Sequence, residues 1–294
     1  MPPVRSAKTA MTAGLRAAWR APWMVLVFFG ANLLLAAAVA APMHLAISEH
    51  VGRSMVGEEL ARGFSAAWLT EFQIAYEGFL EGFSVAIVYG GLLFLALNTV
   101  LAGGALEVFA EGEGARMDAF GRGMGKYFAR FARLALIGSA LYFLAFLVWQ
   151  DQASKLLDRV FRGSVTEYWH FYLNWVRAAL LFLCVMLINV TLEYARADVV
   201  TCDRQSALAA LGQAAGFVLR HWPRVLAIYF GLGTLTLLAI LLYAVFARFF
   251  PQSSVVTVLV WFVVAQALLW ARWLFRLASW GAAVNFYEQI RIRS

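Results

Sequence analysis

The stretch VLAIYFGLGTLTLLAILLYAVF, Val225 to Phe246, contains no charged residue and, as a helix rising 1.5 Å per residue, is long enough to cross the roughly 30 Å hydrocarbon core of a bilayer. It is entered through Arg220-His221-Trp222-Pro223-Arg224, where two arginines and a tryptophan stand at the boundary such groups prefer. Backbone in hydrocarbon has no water to bond to, so a span of this kind must close its hydrogen bonds within itself as a helix.

Five further stretches read the same way: Met24 to Ala41, Ser84 to Ala102, Phe131 to Trp149, Val176 to Tyr194 and Val255 to Leu274. The whole chain of 294 residues is 63% hydrophobic and only 14% charged, with mean hydropathy +0.73, which leaves too little polarity to cover a water-soluble globule. The expected fold is all-α, a polytopic transmembrane helical bundle of six spans. With no Pro-rich, Gly/Ser-rich or low-complexity linker, residues 1–294 read as a single integral membrane domain.

Cations orient the spans, because cytoplasmic segments retain Lys and Arg. Of the 24 such residues, 17 lie on the N-terminal segment, loops two and four and the C-terminal end, against 7 on loops one, three and five. Both termini are therefore expected in the cytoplasm. The net charge of +7 is spread along membrane flanks and interleaved with acids rather than gathered into a basic arm, so nucleic acid is not an expected partner. Arg20, Arg133, Arg224, Arg272 and Arg276 instead stand where they can reach lipid headgroups, the last two by snorkelling from a tryptophan-rich helix end.

A cleaved leader is the alternative reading of the first span, since Arg16 and Arg20 precede an apolar run ending in Ala38-Val39-Ala40; the run is longer than the ~7 to 15 residues of a leader core. Two cysteines, Cys184 and Cys202, form no disulfide framework.

An internal repeat refines the architecture. Gly121, Gly125 and Arg133 align with Gly212, Gly216 and Arg224 at an offset of 91, and Arg20, Val25, Leu26 and Phe29 align with Arg220, Val225, Leu226 and Tyr229 at an offset of 200. Chance similarity among Ala-, Gly- and Arg-rich loops is the competing explanation. The repeat predicts three hairpins, each opened by a cytoplasmic amphipathic helix in the headgroup layer. Over Ser206 to His221 the apolar stripe is Ala207, Leu208, Leu211, Ala215 and Val218, with Gln205, Gln213 and Arg220 off it and Asp203 as the expected cap.

The external loop, residues 42–83, is acidic and carries Leu60, Phe64, Trp68, Phe72, Tyr76 and Leu80 at four-residue intervals, a stripe on a predicted helix of about six turns. It reads as an interfacial helix, a lid or a docking surface. Loop three offers a helical piece at 152–161, then Tyr168, Trp169, Phe171, Tyr172 and Trp175 as an aromatic belt.

Within the spans polarity is sparse: Asn32, Asn98, Asn189 and Gln266, residues that more often bond helix to helix than bind ligands. Glu193 and Arg196, three apart at the end of the fourth span, form the candidate ion pair, structural or functional. His44, His50, His170 and His221 are spread over three loops, and neither a Walker loop nor a paired-His or nucleophile-elbow motif occurs. No catalytic residue, metal or cofactor is expected, and no set of polar residues at one depth can be assembled from the sequence.

From Tyr194-Ala195-Arg196-Ala197-Asp198 through Ser206-Ala207-Leu208-Ala209-Ala210-Leu211 to Arg220-His221-Trp222-Pro223-Arg224-Val225-Leu226, the chain resembles bacterial six-helix membrane proteins related to the membrane domain fused to some glycerophosphodiester phosphodiesterases. Gly103-Gly104 and the tail from Arg272 to Tyr287 fit the same resemblance. The soluble catalytic barrel of those enzymes is absent, so the resemblance implies a non-enzymatic integral protein of the bacterial inner membrane. The expected function is a non-catalytic multi-pass protein that contacts membrane lipids or other membrane proteins. The alternative is a permease subunit energised by a separate cytoplasmic ATPase, docking through 118–130 and 206–221.

Overall fold

Proline placement decides where the helices of this chain break. The structure, a computed structural model, describes residues 7–52, 60, 65–112, 117–149, 155, 167–250 and 254–291. Among them the regular elements are all helices: α1 (Ala7–Arg20), α2 (Pro22–Gly52), α3 (Ala66–Ala75), α4 (Glu77–Glu111), α5 (Met117–Val148), α6 (Glu167–Thr201), α7 (Ala207–Arg220), α8 (Trp222–Phe249) and α9 (Val255–Arg291). Six of these, α2, α4, α5, α6, α8 and α9, are long and apolar enough to cross a membrane, which makes this a multi-pass helical membrane protein.

The α1–α2 and α7–α8 breaks fall at Ala21 and His221, beside Pro22 and Pro223 at the starts of the following helices. Proline has no N–H to continue the ladder and disfavours helix in the residue before it. The matching positions in the middle repeat are Phe131 and Ala132, and there α5 runs unbroken from Met117 to Val148. The expected separate amphipathic helix over 118–130 is thus the first turns of a spanning helix.

The backbone divides into two compact units, residues Met1–Val25 with Thr99–Ser294, and residues Leu26–Asn98. In the larger unit the repeat is visible as burial. Ala10, Ala119 and Ala210, then Gly14, Gly123 and Ala214, then Val25, Leu134 and Val225 are all buried at the offsets read from the sequence. Among the described residues the two with positive φ, Gly112 at 81° and Asp203 at 48°, are likewise 91 positions apart and follow the ends of α4 and α6.

Each repeat's opening helix packs on the closing helix of another. Gly123 of α5 lies against Gly103 and Gly104 of α4, α7 runs along α6, and α1 returns onto α9, where Gly14 meets Ala278 and Ala282. This cycle forms the core, and it sits at the end where the cations cluster. Away from it Leu136, Phe143, Leu242, Val255 and Val263 are exposed, as lipid-facing side chains would be.

Small residues, not leucines, make the inner face of α7. On α7 the buried stripe is Ala207, Ala210, Ala214 and Val218, whereas Leu208 is 70% exposed, which corrects the stripe expected from the sequence. Close helix approach in a membrane favours small side chains, because apolarity alone does not distinguish a neighbouring helix from lipid. The cap of α7 is Ser206, accepting from the Ala209 amide at 3.3 Å, rather than Asp203. Asp203 is drawn instead to Arg130 (2.6 Å) and Lys126 (3.6 Å).

In the smaller unit α2 and α4 approach so closely that a Cβ on Gly90 would stand 2.7 Å from Val39. Asn32 and Asn98 bond reciprocally across this pair at 2.8 and 3.2 Å, each also bonding the carbonyl four residues back. The six-turn helix expected over 60–80 is broken: α3 ends at Ala75 and Tyr76 caps it before α4 begins. Leu60 is helical, Phe64 lies outside the described residues, and Trp68, Phe72 and Tyr76 stack on one another around His50 of α2. The helical piece at 152–161 lies outside the described residues except Lys155, as do the side chains of Tyr168, Trp169 and Phe171; Tyr172 and Trp175 are exposed.

Candidate functional site

The polar set that could not be assembled from the sequence is assembled by four helices. Asn189, Glu193 and Arg196 follow one another at four- and three-residue spacing on α6, which places them on one helix face. Asn189 donates to the Tyr229 hydroxyl of α8 at 2.9 Å, and Glu193, 4% exposed, accepts from the Ser279 hydroxyl of α9 at 2.6 Å. Arg196 lies within electrostatic range of Arg276 on α9, Glu193 and Tyr142 on α5. Tyr142 in turn lies near Tyr229, Arg196 and Arg276.

Two bonds fix the register of α6 and α9. Glu193 pairs with Ser279 and Asp198 with Tyr287, so the residue numbers rise together and the helices are parallel. Arg196 is one turn beyond Glu193 and Arg276 one turn before Ser279. The two arginines bracket the Glu193–Ser279 bond.

Beside the cluster Glu193, Tyr194, Val225, Ile228, Tyr229, Ser279 and Ala283 line a small recess of about 10 Å³, room for about one water molecule. Tyr194 is 3% exposed, and its hydroxyl has no hydrogen-bond partner among the described residues. Tyr194 packs against Phe217 of α7 at 5.4 Å, which ties the recess to the repeat's small helix.

The expected Glu193–Arg196 pair is placed on one face, but its members take different partners. Glu193 bonds Ser279, and among the described residues Arg196 makes no hydrogen bond or ion-pair contact. Arg276, half-buried, lies over the Trp280 ring at 5.4 Å. Arg20, Arg133, Arg224 and Arg272 are exposed; Arg133 also reaches the Gln205 carbonyl at 3.4 Å. Tyr142, Tyr229 and Ser279 escaped the sequence reading because each is unremarkable on its own helix. The signal available was Asn189 four residues before Glu193.

A second polar layer lies nearer the basic end. Fully buried Asp198 pairs with Arg204 and accepts from the Tyr287 hydroxyl at 2.6 Å, while Glu107 of α4 accepts from Tyr127 of α5 at 2.8 Å. Asp203, outside the spans, is held below the usual carboxylate range by the hydrogen bond from Arg130, with the nearby charges of Arg130 and Lys126 acting the same way. Among the described residues no group of three His, Cys, Asp or Glu is placed to hold a metal ion.

These features define a multi-pass helical membrane protein with a polar cluster between four of its helices. Comparison with known proteins returns no match, neither to a family model nor to a curated protein nor to a solved structure. The resemblance over residues 194–226 rests on those residues alone.

Proposed function

We propose that the protein is a non-catalytic inner-membrane protein that binds anionic phospholipid at its basic, cytoplasmic end. The observation that carries this reading is a threefold one: at one position of the repeat stand Trp19, Phe128 and Leu219, exposed by 68, 44 and 71%. Exposed Arg20 and Arg220 directly follow the first and third of these, and in the latter two repeats exposed Arg133 and Arg224 stand at the entry of the span. An apolar side chain beside a cation at one level suits the boundary between acyl chains and anionic headgroups. The cation asymmetry of the sequence supports the cytoplasmic side for that boundary.

The test is lipid retention in nanodiscs of mixed phosphatidylglycerol and phosphatidylcholine. The wild type should enrich the anionic lipid over its bulk fraction, and joint replacement of Arg20, Arg220, Arg224 and Arg272 by Gln should remove most of that enrichment. Retained lipid that mirrors the bulk in both proteins would sink the reading.

A further inference from the structure

The recess between α6, α8 and α9, about 10 Å³, has the size of one water molecule, and Glu193, Tyr194, Tyr229 and Ser279 bring oxygen-bearing side chains to its wall. Glu193 and Tyr194 are withdrawn almost completely from the surface, and the Tyr194 hydroxyl has no hydrogen-bond partner among the described residues. A hydroxyl taken out of water without a partner is a net cost to the fold.

The bonds already made leave a definite complement of donors and acceptors. The Tyr229 hydroxyl accepts from Asn189 at 2.9 Å, so its own proton remains to be donated. The Ser279 hydroxyl gives its proton to Glu193 at 2.6 Å, which leaves its oxygen able to accept. The Glu193 carboxylate only accepts, and it has a second oxygen beyond the one that Ser279 bonds. In the Tyr194 hydroxyl both roles are open.

Two hydroxyl protons to be accepted and two oxygens to be donated to are the counterpart of a single water, which offers two lone pairs and two protons. Other occupants of that size fit less well. A halide only accepts and would face the Glu193 carboxylate, and an alkali cation has no lone pair for the two hydroxyl protons.

The internal repeat supplies a control. Ninety-one residues before Glu193, Tyr194 and Tyr229 stand Ala102, Gly103 and Gly138. There the chain closes by direct contact: Gly103 lies against Gly123, and a Cβ on Gly138 would stand 2.7 Å from Leu192. The architecture is built at those positions without a polar recess, so packing alone does not call for one at 193, 194 and 229.

We infer that the recess is a binding site for one structural water, which accepts the protons of Tyr194 and Tyr229 and donates to Glu193 and Ser279. The water joins α6, α8 and α9, and a water-mediated bond is nearly as favourable as a direct one. This site is independent of the lipid-binding reading, since none of its residues is a surface arginine.

Radiolytic labelling of the full-length protein in detergent micelles tests for the water directly. Hydroxyl radicals made from a bound water modify the side chains it touches, even where bulk solvent has no access. Oxidation of Tyr194, read by peptide mass spectrometry, should exceed that of Tyr127 several-fold. Tyr127, 0% exposed and bonded to Glu107, is the buried reference.

The melting temperature supplies an independent sign. Tyr194→Phe removes one ligand of the water and should lower it by about 2–4 °C, the scale for one hydrogen bond in a chain of this size. Without the water, the same change would delete an unpartnered hydroxyl and leave the melting temperature level or raised. Tyr229→Phe acts on the same water, so the double variant should lose less than the sum of the two single ones. Tyr194 labelling no greater than that of Tyr127, a Tyr194→Phe protein at least as stable as the wild type, or strictly additive losses in the double variant would overturn the assignment.

Discussion

Gly121 and Gly123 lie two positions apart in α5, and alanine at each should move stability in opposite directions. A Cβ on Gly121 would meet nothing within 4 Å, whereas one on Gly123 would stand 2.6 Å from the Glu107 Cβ, 2.6 Å from the Gly103 carbonyl oxygen and 3.1 Å from the Gly104 Cα. Ordinary contact begins at 3.4 Å, so α4 and α5 would have to part by about 0.8 Å, and the obstructing atoms are backbone or Cβ and cannot swing aside. Replacing a mid-helix glycine by alanine gains about 0.5–1 kcal/mol at either site through reduced backbone freedom. Forcing a methyl group into a packed contact costs about 1–3 kcal/mol and applies only at Gly123. The intrinsic gain cancels in the comparison, so Gly121→Ala should exceed Gly123→Ala in stability by about 1–3 kcal/mol. Reversible unfolding in mixed dodecylmaltoside and dodecyl sulfate micelles, followed by helical circular dichroism, measures this difference directly. Equal midpoints, or a more stable Gly123→Ala, would refute the close approach of α4 and α5 and with it the packing of one repeat on the next.

Arg204→Ala should cost about 3–5 kcal/mol in the same assay, because it removes the cation paired with the fully buried Asp198 carboxylate, and adding Asp198→Asn should recover part of that loss. For Asp203 the folded-state pKa is depressed, so its contribution to stability is present above the unfolded value near 3.9 and is lost as pH falls through the lower folded value. Carboxyl-detected NMR should show its titration midpoint rise toward the ordinary range in Arg130→Gln, with a smaller difference at high salt because the side chain is 59% exposed.

The six spans were legible because apolar length is a one-dimensional property that lipid enforces on each helix separately. Their ends were not. α9 continues from Val255 to Arg291, well past the expected end at Leu274, because the segment beyond contributes Leu277, Ala278, Ala282 and Val284 to a packed core at the basic end. The repeat was legible in part through the wrong residues. Gly121, Gly125, Gly212 and Gly216 marked the alignment, yet each lies in open space, while the close contacts belong to Gly14 and Gly123, which the sequence does not distinguish from any other glycine. The polar cluster was hidden for a different reason: it combines tyrosine, serine, amide and charged groups from α5, α6, α8 and α9, and only packing brings them together.

The repeat also sorts the buried polar groups by what they do. Asn98 and Asn189 are 91 positions apart, and each bonds across to a neighbouring helix, Asn98 to Asn32 and Asn189 to Tyr229. Glu107 and Asp198, again 91 apart, each accept a tyrosine hydroxyl, from Tyr127 and Tyr287. Polarity that recurs at equivalent places with equivalent bonds is part of how this architecture holds itself together, and amide bonds between helices in a membrane contribute about 0.6–2 kcal/mol apiece. Glu193 and Arg196 break that rule, since their equivalents are Ala102 and Ala105. Charge introduced where the scaffold packs with alanine adds a desolvation cost and, in Arg196, gains no direct partner among the described residues.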